Sequence, residues 1–412
     1  MENTVQPSFN ELIKRRYEEL DEIIKQGILP FEYSFNVDSD SEKIKNNFVE
    51  GTEVNVSIAG RIMAIRRMGK ASFAHIQDHK GKIQIYLKKD EIGDAYDIFK
   101  LLDIGDIIGV EGFVFKTKTG EISVHTKKLV LLSKSLLPFP IAKEVIDEEG
   151  NKTIFDQFAD KELRYRRRYL DLIVNPEIKD VFIKRSKIIS SMRNFLDSNG
   201  YLEVETPVLQ PIYGGASARP FTTYHNTLDT QLYLRIADEL YLKRLIVGGF
   251  NGVYEISKDF RNEGMDKSHN PEFTMMELYV PYKDYNWMME FVESMFEHIC
   301  NTVFNTLEFQ IEDKMINFKA PWKRVSMIEE IQNKTGLNVL NCTLEDLKST
   351  AKKQGIDISA INSKAKLIDE LFSVTVEPEL IQPTFIIDYP IELSPLAKKH
   401  RTKEGVDRKS VV

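Results

Sequence analysis

The sequence of 412 residues contains only two cysteines, Cys300 and Cys342, which lie far apart. Two distant thiols exclude both a disulfide framework and a zinc site built from cysteines. No apolar run approaches the roughly 20 residues of a membrane span. The first residues also lack the apolar segment of a secretory signal. These absences predict a reduced, cytoplasmic protein without membrane association.

Internal repeats and low-complexity tracts are also absent, and hydrophobic residues make up 42% of the sequence. A chain of this length and composition is expected to form two or three domains. The 56 Lys and Arg residues and 63 Asp and Glu residues give a net charge of −7. Residues 51–138 differ, because they carry 14 Lys and Arg against 10 Asp and Glu. This basic module indicates either a local site for a polyanion or an ordinary solvated surface.

Residues 1–50 are predicted to form a helical extension, with one amphipathic helix over residues 8–27. Ser8 and Glu11 fit a capping box at its start. The apolar stripe that is expected to pack consists of Ile13, Tyr17, Leu20 and Ile24. The other face is charged and is expected to be solvated, and a contact between Arg15 or Arg16 and RNA phosphate is the alternative.

Five short β runs occupy residues 51–138 and are separated by turn-prone segments. Five such runs at this spacing predict a small antiparallel barrel. Barrels of this kind bind single-stranded nucleic acid through exposed aromatic rings and a basic groove. The candidate base and phosphate contacts are therefore Arg61, Arg67, Phe73, His75, Gln84 and Tyr86. For Phe73, a place in the barrel core is equally compatible with the sequence.

A proline-bearing linker is expected over residues 139–175, and it contains the arginine cluster LRYRRRYLDL. These arginines form either a phosphate patch or ion pairs with acids at a domain junction. Residues 176–412 are predicted to form a second domain, in which an antiparallel sheet with helices beside it carries the site. A helical insertion is expected within this domain over about residues 325–378.

The most informative segment is YEISKDFRNEGMDKSHNPEFTMMELY, at residues 254–279. Two predicted strands flank a loop there, and their pairing can bring Arg261, Glu263 and Phe273 to one face. His269 would lie at the end of the loop. Arginine binds phosphate oxygens, a carboxylate accepts from an exocyclic amine, and an aromatic ring covers a base. The segment therefore predicts a nucleotide site, and a hairpin with a surface ion pair is the alternative.

FRNE followed by HNPEF resembles motif 2 of the class II aminoacyl-tRNA synthetases, and NGYLEVETPVL resembles their motif 1, with Pro207 as its proline. GGASARPF and LRIADELYLKRL are similar to the lysyl-tRNA synthetase branch of that family. MGKASFAHIQDHKGKIQIY is similar to the anticodon-binding OB-fold of the same branch. The resemblance covers nearly everything from residue 8 to about residue 405. It implies an α+β protein, in which an N-terminal OB-fold barrel precedes a class II catalytic domain with an antiparallel sheet.

The resemblance also implies the roles of the residues in and around motif 2. Arg261 would bridge the α-phosphate of ATP and the carboxylate of lysine, and would stabilise the charge that develops in the transition state. The other implied ATP contacts are Glu263 and Phe273 for the adenine, His269 for the outer phosphates and Asn270 for the shape of the loop. Ser268 stands where bacterial members often have an arginine, so one phosphate contact is expected to be weaker.

A lysine pocket is implied in the same way. Glu239 would bind the α-ammonium of lysine together with the backbone carbonyl of Gly215. Glu277 and Tyr279, which alternate along the strand after HNPEF, would line the pocket for the side-chain ammonium. Buried acids require a cation, because leaving them unpaired is costly. The alternative for Glu277 and Tyr279 is a solvated strand face.

The activity that the resemblance implies is ATP-dependent and Mg²⁺-dependent activation of L-lysine to lysyl-adenylate, followed by transfer of lysine to the 3′ end of tRNA(Lys). In the barrel, three residues would contact anticodon bases of that tRNA: Arg61, Phe73 and Gln84. A homodimer that forms through motif 1 is also expected.

Two features that the family would contain are missing from the sequence. A GxGxGxxxR segment of the kind that forms motif 3 does not occur, and neither does the acidic segment that binds magnesium ions. We therefore expect a catalytic domain that is incomplete at its C-terminal end and inactive as it stands, and we assign no metal ligand within it. The last six residues, DRKSVV, are those that a common sequencing adapter encodes, so we expect the natural gene to differ there.

Three alternatives to this function are open. A non-catalytic RNA-binding protein would use the OB barrel alone, but it would have no need of Arg261, Glu263 and Glu277. A protein that ligates lysine to another protein would lack the anticodon barrel. An enzyme of the same subgroup that is specific for aspartate or asparagine would be poorly served by two acids in the amino acid pocket.

Overall fold

The structure is a computed structural model. It describes residues 9–140, 158–359, 361, 363–394 and 397–412, and the backbone of residues 143–146 and 152–155. The chain divides into two compact units, Met1–Ile178 and Lys179–Val412. Ser8 of the predicted capping box and part of the predicted linker lie outside the described residues. In the part of the chain that the structure describes, no helix is long and apolar enough to cross a membrane.

The first unit contains a five-stranded closed barrel with short helices. Its elements are α1 (Phe9–Lys25), α2 (Ser41–Asn46), β1 (Asn55–Met68), β2 (Ala71–Gln77), β3 (Lys82–Lys88), α3 (Lys89–Ile92), α4 (Ala95–Lys100), β4 (Ile107–Lys116), β5 (Ile122–Ser133), β6 (Lys143–Ile146), β7 (Lys152–Phe155), α5 (Lys161–Arg166) and α6 (Arg168–Val174). The barrel order is β1-β2-β3-β5-β4, and every pair is antiparallel except β3 with β5. The predicted barrel is confirmed, with one parallel pair that the sequence pattern did not indicate.

Alternation along the barrel strands separates the core from the outer surface. In β2, Ala74 and Ile76 are buried in the core, whereas Phe73 and His75 alternate with them and are half-buried. Ile85 is buried in the same way on β3. The ring of Phe73 therefore lies on the outside of the barrel and is not part of its core.

Helix α1 buries a different stripe from the predicted one. The prediction that Tyr17 and Ile24 pack is wrong, because each is 51% exposed. The buried residues of the helix are Arg16 and Ile23. Arg16 Nη1 donates to the backbone carbonyl of Ser135 at 2.8 Å. This arginine therefore holds the helix against the chain that follows the barrel, and it is not free to bind RNA.

The arginine-rich segment after the barrel pairs with acids. Arg164 Nε lies 2.8 Å from Asp171 Oδ1, and Arg168 contacts the other oxygen of the same fully buried carboxylate. Arg166 pairs with Glu162 at 2.8 Å. Of the two hypotheses for this cluster, these contacts favour ion pairing over a phosphate patch.

The second unit contains a three-stranded sheet, two long helices beside it and a helical insertion. Its elements are α7 (Ile178–Ser198), β8 (Leu202–Glu203), β9 (Leu209–Gln210), β10 (Thr222–His225), β11 (Thr230–Leu234), α8 (Glu239–Val247), β12 (Val253–Phe260), β13 (Glu272–Tyr279), α9 (Tyr285–Phe304), β14 (Glu308–Ile311), β15 (Lys314–Asn317), β16 (Lys323–Ser326), α10 (Met327–Thr335), α11 (Leu344–Lys353), α12 (Lys364–Thr375) and β17 (Thr384–Ile387). Helices α10, α11 and α12 follow β16 and precede β17 along the chain, and they share one apolar core. Strands β16 and β17 pair in parallel.

The sheet that carries the candidate site has the order β13-β12-β8. Strands β12 and β13 are antiparallel over their whole length, as predicted, and β8 adds a short parallel pairing. The apolar face of the sheet packs on α7 and α9 through a cluster that includes Leu196, Tyr254, Phe291, Met295 and Ile299. The residues that alternate with Tyr254 along β12 lie on the opposite face.

Candidate active site and nucleic-acid interface

The opposite face of β12 and β13 is rich in polar side chains. Cross-strand pairing places Asp259 opposite Phe273 and Glu255 opposite Glu277. Paired residues of antiparallel strands point to the same side, so all four belong to one face. Glu255 and Asp259 are buried there. A face that buries several acids has to satisfy them by hydrogen bonds, by cations or by protonation.

Arg261 follows β12 directly and lies against Phe273, with Cζ 5.0 Å from the centroid of the ring. The backbone N–H of Arg261 donates to the carbonyl of Pro271 at 2.9 Å, which closes the base of the loop. The Nε of Arg261 is buried and has no hydrogen-bond partner among the described residues. A buried guanidinium donor without a partner fits an anionic ligand.

Glu263 lies in the loop rather than on the strand, because β12 ends at Phe260. Its Oε1 accepts from the backbone N–H of Arg219 at 3.4 Å. The backbone N–H of Asn262 donates to the carbonyl of the same arginine at 2.8 Å. These two bonds tie the loop to the GGASARPF segment, so the two family-like motifs meet at Glu263.

His269 and Asn270 lie at the exposed end of the loop. The Nδ1 of His269 is 2.8 Å from Asp266 Oδ2. Hydrogen bonds from the Ser268 backbone and from His269 to the Asp266 carboxylate hold the pKa of that carboxyl below its usual range. Asn270 Nδ2 donates to the carbonyl of Glu272 at 2.6 Å. The imidazole is thus oriented by a carboxylate, and the amide of Asn270 fixes the return of the chain into β13.

Gly215 and Glu239 are in close contact. Gly215 has a φ of +87°, and a Cβ at this position would lie 2.8 Å from the Cβ of Glu239 and 3.1 Å from that of Ala237. Both the backbone conformation and the close approach therefore require glycine. Glu239 is the first residue of α8, and its Oε1 lies 2.5 Å from Lys243 Nζ.

Glu277 and Tyr279 form a hydrogen-bonded pair on the polar face. Glu277 Oε1 accepts from the backbone N–H of Asp238 at 3.2 Å, and its Oε2 accepts from the hydroxyl of Tyr279 at 2.9 Å. Burial, followed by the neighbouring Glu277 carboxylate, raises the pKa of the Tyr279 hydroxyl, so that it stays a donor. Both side chains are half-buried, which disfavours the alternative of a solvated strand face.

Four buried residues of this face were not predicted from the sequence. They are Arg235, Asp238, Glu255 and Asp259. Arg235 Nη1 lies 2.6 Å from Glu255 Oε1 and 3.1 Å from Asp238 Oδ1. Its Nε lies 3.5 Å from Asp259 Oδ1. Oxygens of Asp238, Asp259 and Glu277 all lie within 4.8 Å of one another.

Burial raises the pKa of two of these acids. The pKa of Asp238 is raised to about 7, chiefly by desolvation, and the Asp259 carboxylate adds to the effect. The pKa of Asp259 is raised to about 6, again chiefly by desolvation, with a further contribution from Glu277. Arg235 opposes both shifts. The face therefore takes up protons close to neutral pH.

On the outside of the barrel, Phe73 and Gln84 line one cavity of about 510 Å³. Tyr86 lines it as well, with its ring centroid 4.9 Å from that of Phe73. Gln84 Nε2 donates to Glu121 Oε2 at 2.8 Å, and Ser123 Oγ donates to Gln84 Oε1 at 2.9 Å. The amide of Gln84 is thus held in a fixed orientation beside an aromatic surface. Sequence reasoning missed Glu121, which stands alone between a turn and β5.

Arg61 does not line this cavity. Its Nη1 donates to the carbonyl of Gly105 at 2.8 Å, and its Cζ lies 5.2 Å from the centroid of the Phe139 ring. Burial lowers the pKa of this guanidinium. The structure therefore brings Phe73 and Gln84 together but places Arg61 elsewhere, and Arg66 is the arginine that lines the cavity.

Comparison with known proteins agrees with both parts of this description. Residues 56–132 match the family described as OB-fold nucleic acid binding domain, and residues 160–411 match the tRNA synthetases of class II (D, K and N). The lysine–tRNA ligases of two Porphyromonas gingivalis strains are 50% and 51% identical to this chain over 411 residues, which is 97% of this chain and 70% of each relative. The lysine–tRNA ligase of Christiangramia forsetii is 54% identical over 396 residues, 94% of this chain and 68% of that protein.

The resemblance identified from FRNE, HNPEF and the barrel segment is thus confirmed at the level of the family. The second match includes the β12–β13 hairpin with Arg261 and Phe273, and the first includes the cavity of Phe73 and Gln84. The chain belongs to the class II tRNA synthetases of the D, K and N group, and it carries an OB-fold nucleic acid binding domain ahead of the synthetase fold.

Proposed function

We propose that this chain is a lysine–tRNA ligase that activates L-lysine with ATP and transfers it to tRNA(Lys). The observation that carries the proposal is the polar face of β12 and β13. It combines a partly unsatisfied arginine stacked on an aromatic ring with the acids Glu239 and Glu277. The relatives named above are all lysine–tRNA ligases, and they are 50% to 54% identical to this chain.

The arrangement around Arg261 suits ATP. Its buried Nε is available to an anion, such as the α-phosphate or the carboxylate of the amino acid. Glu263 and Phe273 would hold the adenine. His269 would contact the outer phosphates, and Asn270 would maintain the shape of the loop. A carboxylate attacks phosphorus without a general base, so the site needs no catalytic histidine. Mg²⁺ would accompany ATP, and we assign no ligand for it among the described residues.

The arrangement around Glu277 suits the two ammonium groups of lysine. Glu239 would bind the α-ammonium together with the carbonyl of Gly215, a residue that packs so closely against Glu239 that no Cβ fits between them. Glu277 would bind the side-chain ammonium, and Tyr279 orients that carboxylate through its hydroxyl. An acidic amino acid would meet repulsion from the same groups.

A substrate panel tests the proposal directly. The protein should catalyse ATP–pyrophosphate exchange with lysine, and not with aspartate, asparagine or leucine. Exchange with aspartate or asparagine instead would overturn the choice of amino acid. Binding of tRNA without exchange for any amino acid would favour the non-catalytic alternative. Transfer of lysine to a protein rather than to tRNA would favour the second alternative.

The barrel cavity is proposed to bind anticodon bases of tRNA(Lys), with Phe73 as a stacking platform and Gln84 as the hydrogen-bonding group. Phe73→Ala should raise the KM for tRNA by about 5- to 150-fold, because stacking on an aromatic ring contributes about 1–3 kcal/mol per base. ATP–pyrophosphate exchange should not change, since it needs no tRNA. Tyr33→Ala is the matched control, because Tyr33 is an 89% exposed aromatic residue that does not line the cavity.

A homodimer is proposed on the basis of the resemblance to motif 1 and of the surface of α7. Val181 is 62% exposed and lines an apolar groove with Ile188, Met192, Ile256 and Met276. Val181→Glu should convert the dimer to a monomer, because it places a charge in a contact between apolar surfaces. Light scattering of both proteins at equal concentration measures the change. A wild-type protein that is already monomeric would contradict the proposal.

The division of the chain is proposed as a helical extension over residues 1–50, an OB-fold domain over 51–138, a linker over 139–175 and a catalytic domain from 176 with an insertion at about 325–378. The place of action is proposed to be the cytoplasm. Both proposals rest on the sequence patterns and on the family.

A further inference from the structure

The acids on the site's polar face outnumber the cations near them. Asp238, Glu255, Asp259 and Glu277 lie close together, and Arg235 is the buried cation that contacts three of them. Arg261 contributes a more distant charge that acts on Asp259. Two arginines cannot neutralise four carboxylates. At least part of this group has to be protonated or meet a further cation.

Two of the four acids already have full sets of partners. Glu255 accepts from Arg235 and, through its other oxygen, from the hydroxyl of Thr206 at 2.7 Å. Glu277 accepts from the Asp238 N–H and from Tyr279. Every one of these partners is a donor, so both carboxylates are satisfied as acceptors.

Asp238 and Asp259 are the two that are incompletely satisfied. Asp259 is fully buried, and neither of its oxygens has a hydrogen-bond partner among the described residues. Asp238 is also fully buried. Its Oδ2 accepts from Ser257 Oγ at 2.6 Å, whereas its Oδ1 makes an ionic contact with Arg235 and no hydrogen bond to any residue that the structure describes. Any excess proton in this group therefore belongs to the Asp238–Asp259 pair.

The charged and titratable groups around this pair come from every neighbouring element. Strand β12 provides Glu255, strand β13 provides Glu277 and Tyr279, and the chain before α8 provides Arg235. Glu239 opens α8, and Arg261 follows β12. Besides the two arginines, α8 provides the cation Lys243, whose ammonium is paired with Glu239 at 2.5 Å. The side-chain ammonium of a bound lysine would add a further cation beside Glu277.

We propose that Asp238 and Asp259 are positioning residues, that one of the two is protonated in the free protein, and that this proton is released when the side-chain ammonium of lysine binds beside Glu277. This inference rests on the proposed function. The proton passes to solvent, and no covalent bond of the substrate changes in the step. A nearby positive charge favours the ionised form of the pair, and the ionised pair in turn strengthens the attraction for the ammonium. Asp238 also acts through Glu277, whose carboxylate its backbone N–H orients.

The direction in which the affinity for lysine changes with pH follows from the linkage between lysine binding and proton release. The two acids have pKa values of about 7 and about 6. Below this range the free pair is protonated, and lysine has to expel a proton, so it binds more weakly. Above this range the free pair is ionised and no proton is released, so affinity no longer depends on pH. The side-chain ammonium of lysine, with a pKa of about 10.4, stays charged throughout.

The test measures the KM for lysine and kcat in ATP–pyrophosphate exchange at saturating ATP, from about pH 5.5 to about pH 8. In the wild-type protein, the KM for lysine should rise by up to about tenfold for each pH unit below the range of the two pKa values. Asp259→Asn and Asp238→Asn should have a raised KM for lysine already at the highest pH of the range, and this KM should change little further as the pH falls. Their kcat should follow the wild-type profile. Asp313→Asn, at an exposed turn between β14 and β15, should match the wild type throughout.

A second measurement detects the released proton directly. Calorimetry of lysine binding near pH 6.5, in two buffers with different heats of ionisation, should reveal a released proton in the wild type and a smaller release in each Asn variant. Identical KM profiles for the wild type and both Asn variants would overturn the inference, and so would lysine binding without proton release. Absence of lysine-dependent exchange at every pH would instead reject the proposed function, so the two failures are distinguishable.

Discussion

Arg261→Ala is expected to reduce lysine-dependent ATP–pyrophosphate exchange to background, a loss of about 10³-fold or more. The guanidinium lies against the ring of Phe273, the backbone N–H of Arg261 is fixed by its bond to Pro271, and the Nε has no partner among the described residues. It is therefore oriented before any ligand arrives. A donor fixed in this way stabilises charge that develops on the α-phosphate, and alanine leaves that charge without compensation.

Two further variants separate charge from geometry in this prediction. Arg261→Lys keeps the positive charge but loses the planar, bidentate donor, so it should recover only part of the activity. Lys258→Ala removes a cation from β12 whose ammonium lies 3.4 Å from Glu272 at the exposed end of the strand, and it should leave exchange unchanged. Full exchange in Arg261→Ala, with thermal unfolding like that of the wild type, would refute the role assigned to Arg261.

Much of the fold was predictable because two local patterns are strong in this sequence. Five β runs separated by turns gave the barrel, and strand alternation correctly placed Glu277 and Tyr279 on one face. The arginine and the aromatic ring of the site were also predicted together, since antiparallel pairing of two strands joined by a short loop brings their ends into contact. The structure supports this contact directly, at 5.0 Å between Arg261 Cζ and the Phe273 ring.

The errors share a physical cause. A sequence pattern does not show which atoms the charged group of a long side chain will contact. Arg16 and Arg61 were placed on charged surfaces, but both donate to backbone carbonyls that no local pattern reveals. The same limit hid the acids of the polar face. The alternation of Glu255 and Asp259 along β12 could have shown that they face Glu277, whereas the position of Asp238 depends on packing between distant segments.

Glu277→Gln is expected to lower kcat/KM for lysine by about 100-fold or more, with the KM for ATP unchanged. The substitution removes the charge and keeps the shape. The amide can still accept from the Asp238 N–H and donate to the Tyr279 oxygen, so both existing hydrogen bonds have replacements. The loss would therefore report the missing charge opposite the side-chain ammonium, and not a collapse of the pocket.

Glu272→Gln is the matched control for this second prediction. Glu272 begins the same strand, is exposed, and lies 3.4 Å from Lys258 instead of facing the polar face. An uncharged lysine analogue, 6-hydroxynorleucine, sharpens the test. The wild type should reject it strongly, because its hydroxyl leaves the half-buried carboxylate of Glu277 without a cation, while Glu277→Gln should discriminate far less. Equal discrimination by the two proteins would show that another residue selects the ammonium. If Glu277 selects it by charge, neutralising Glu277 must reduce the preference for lysine over the uncharged analogue.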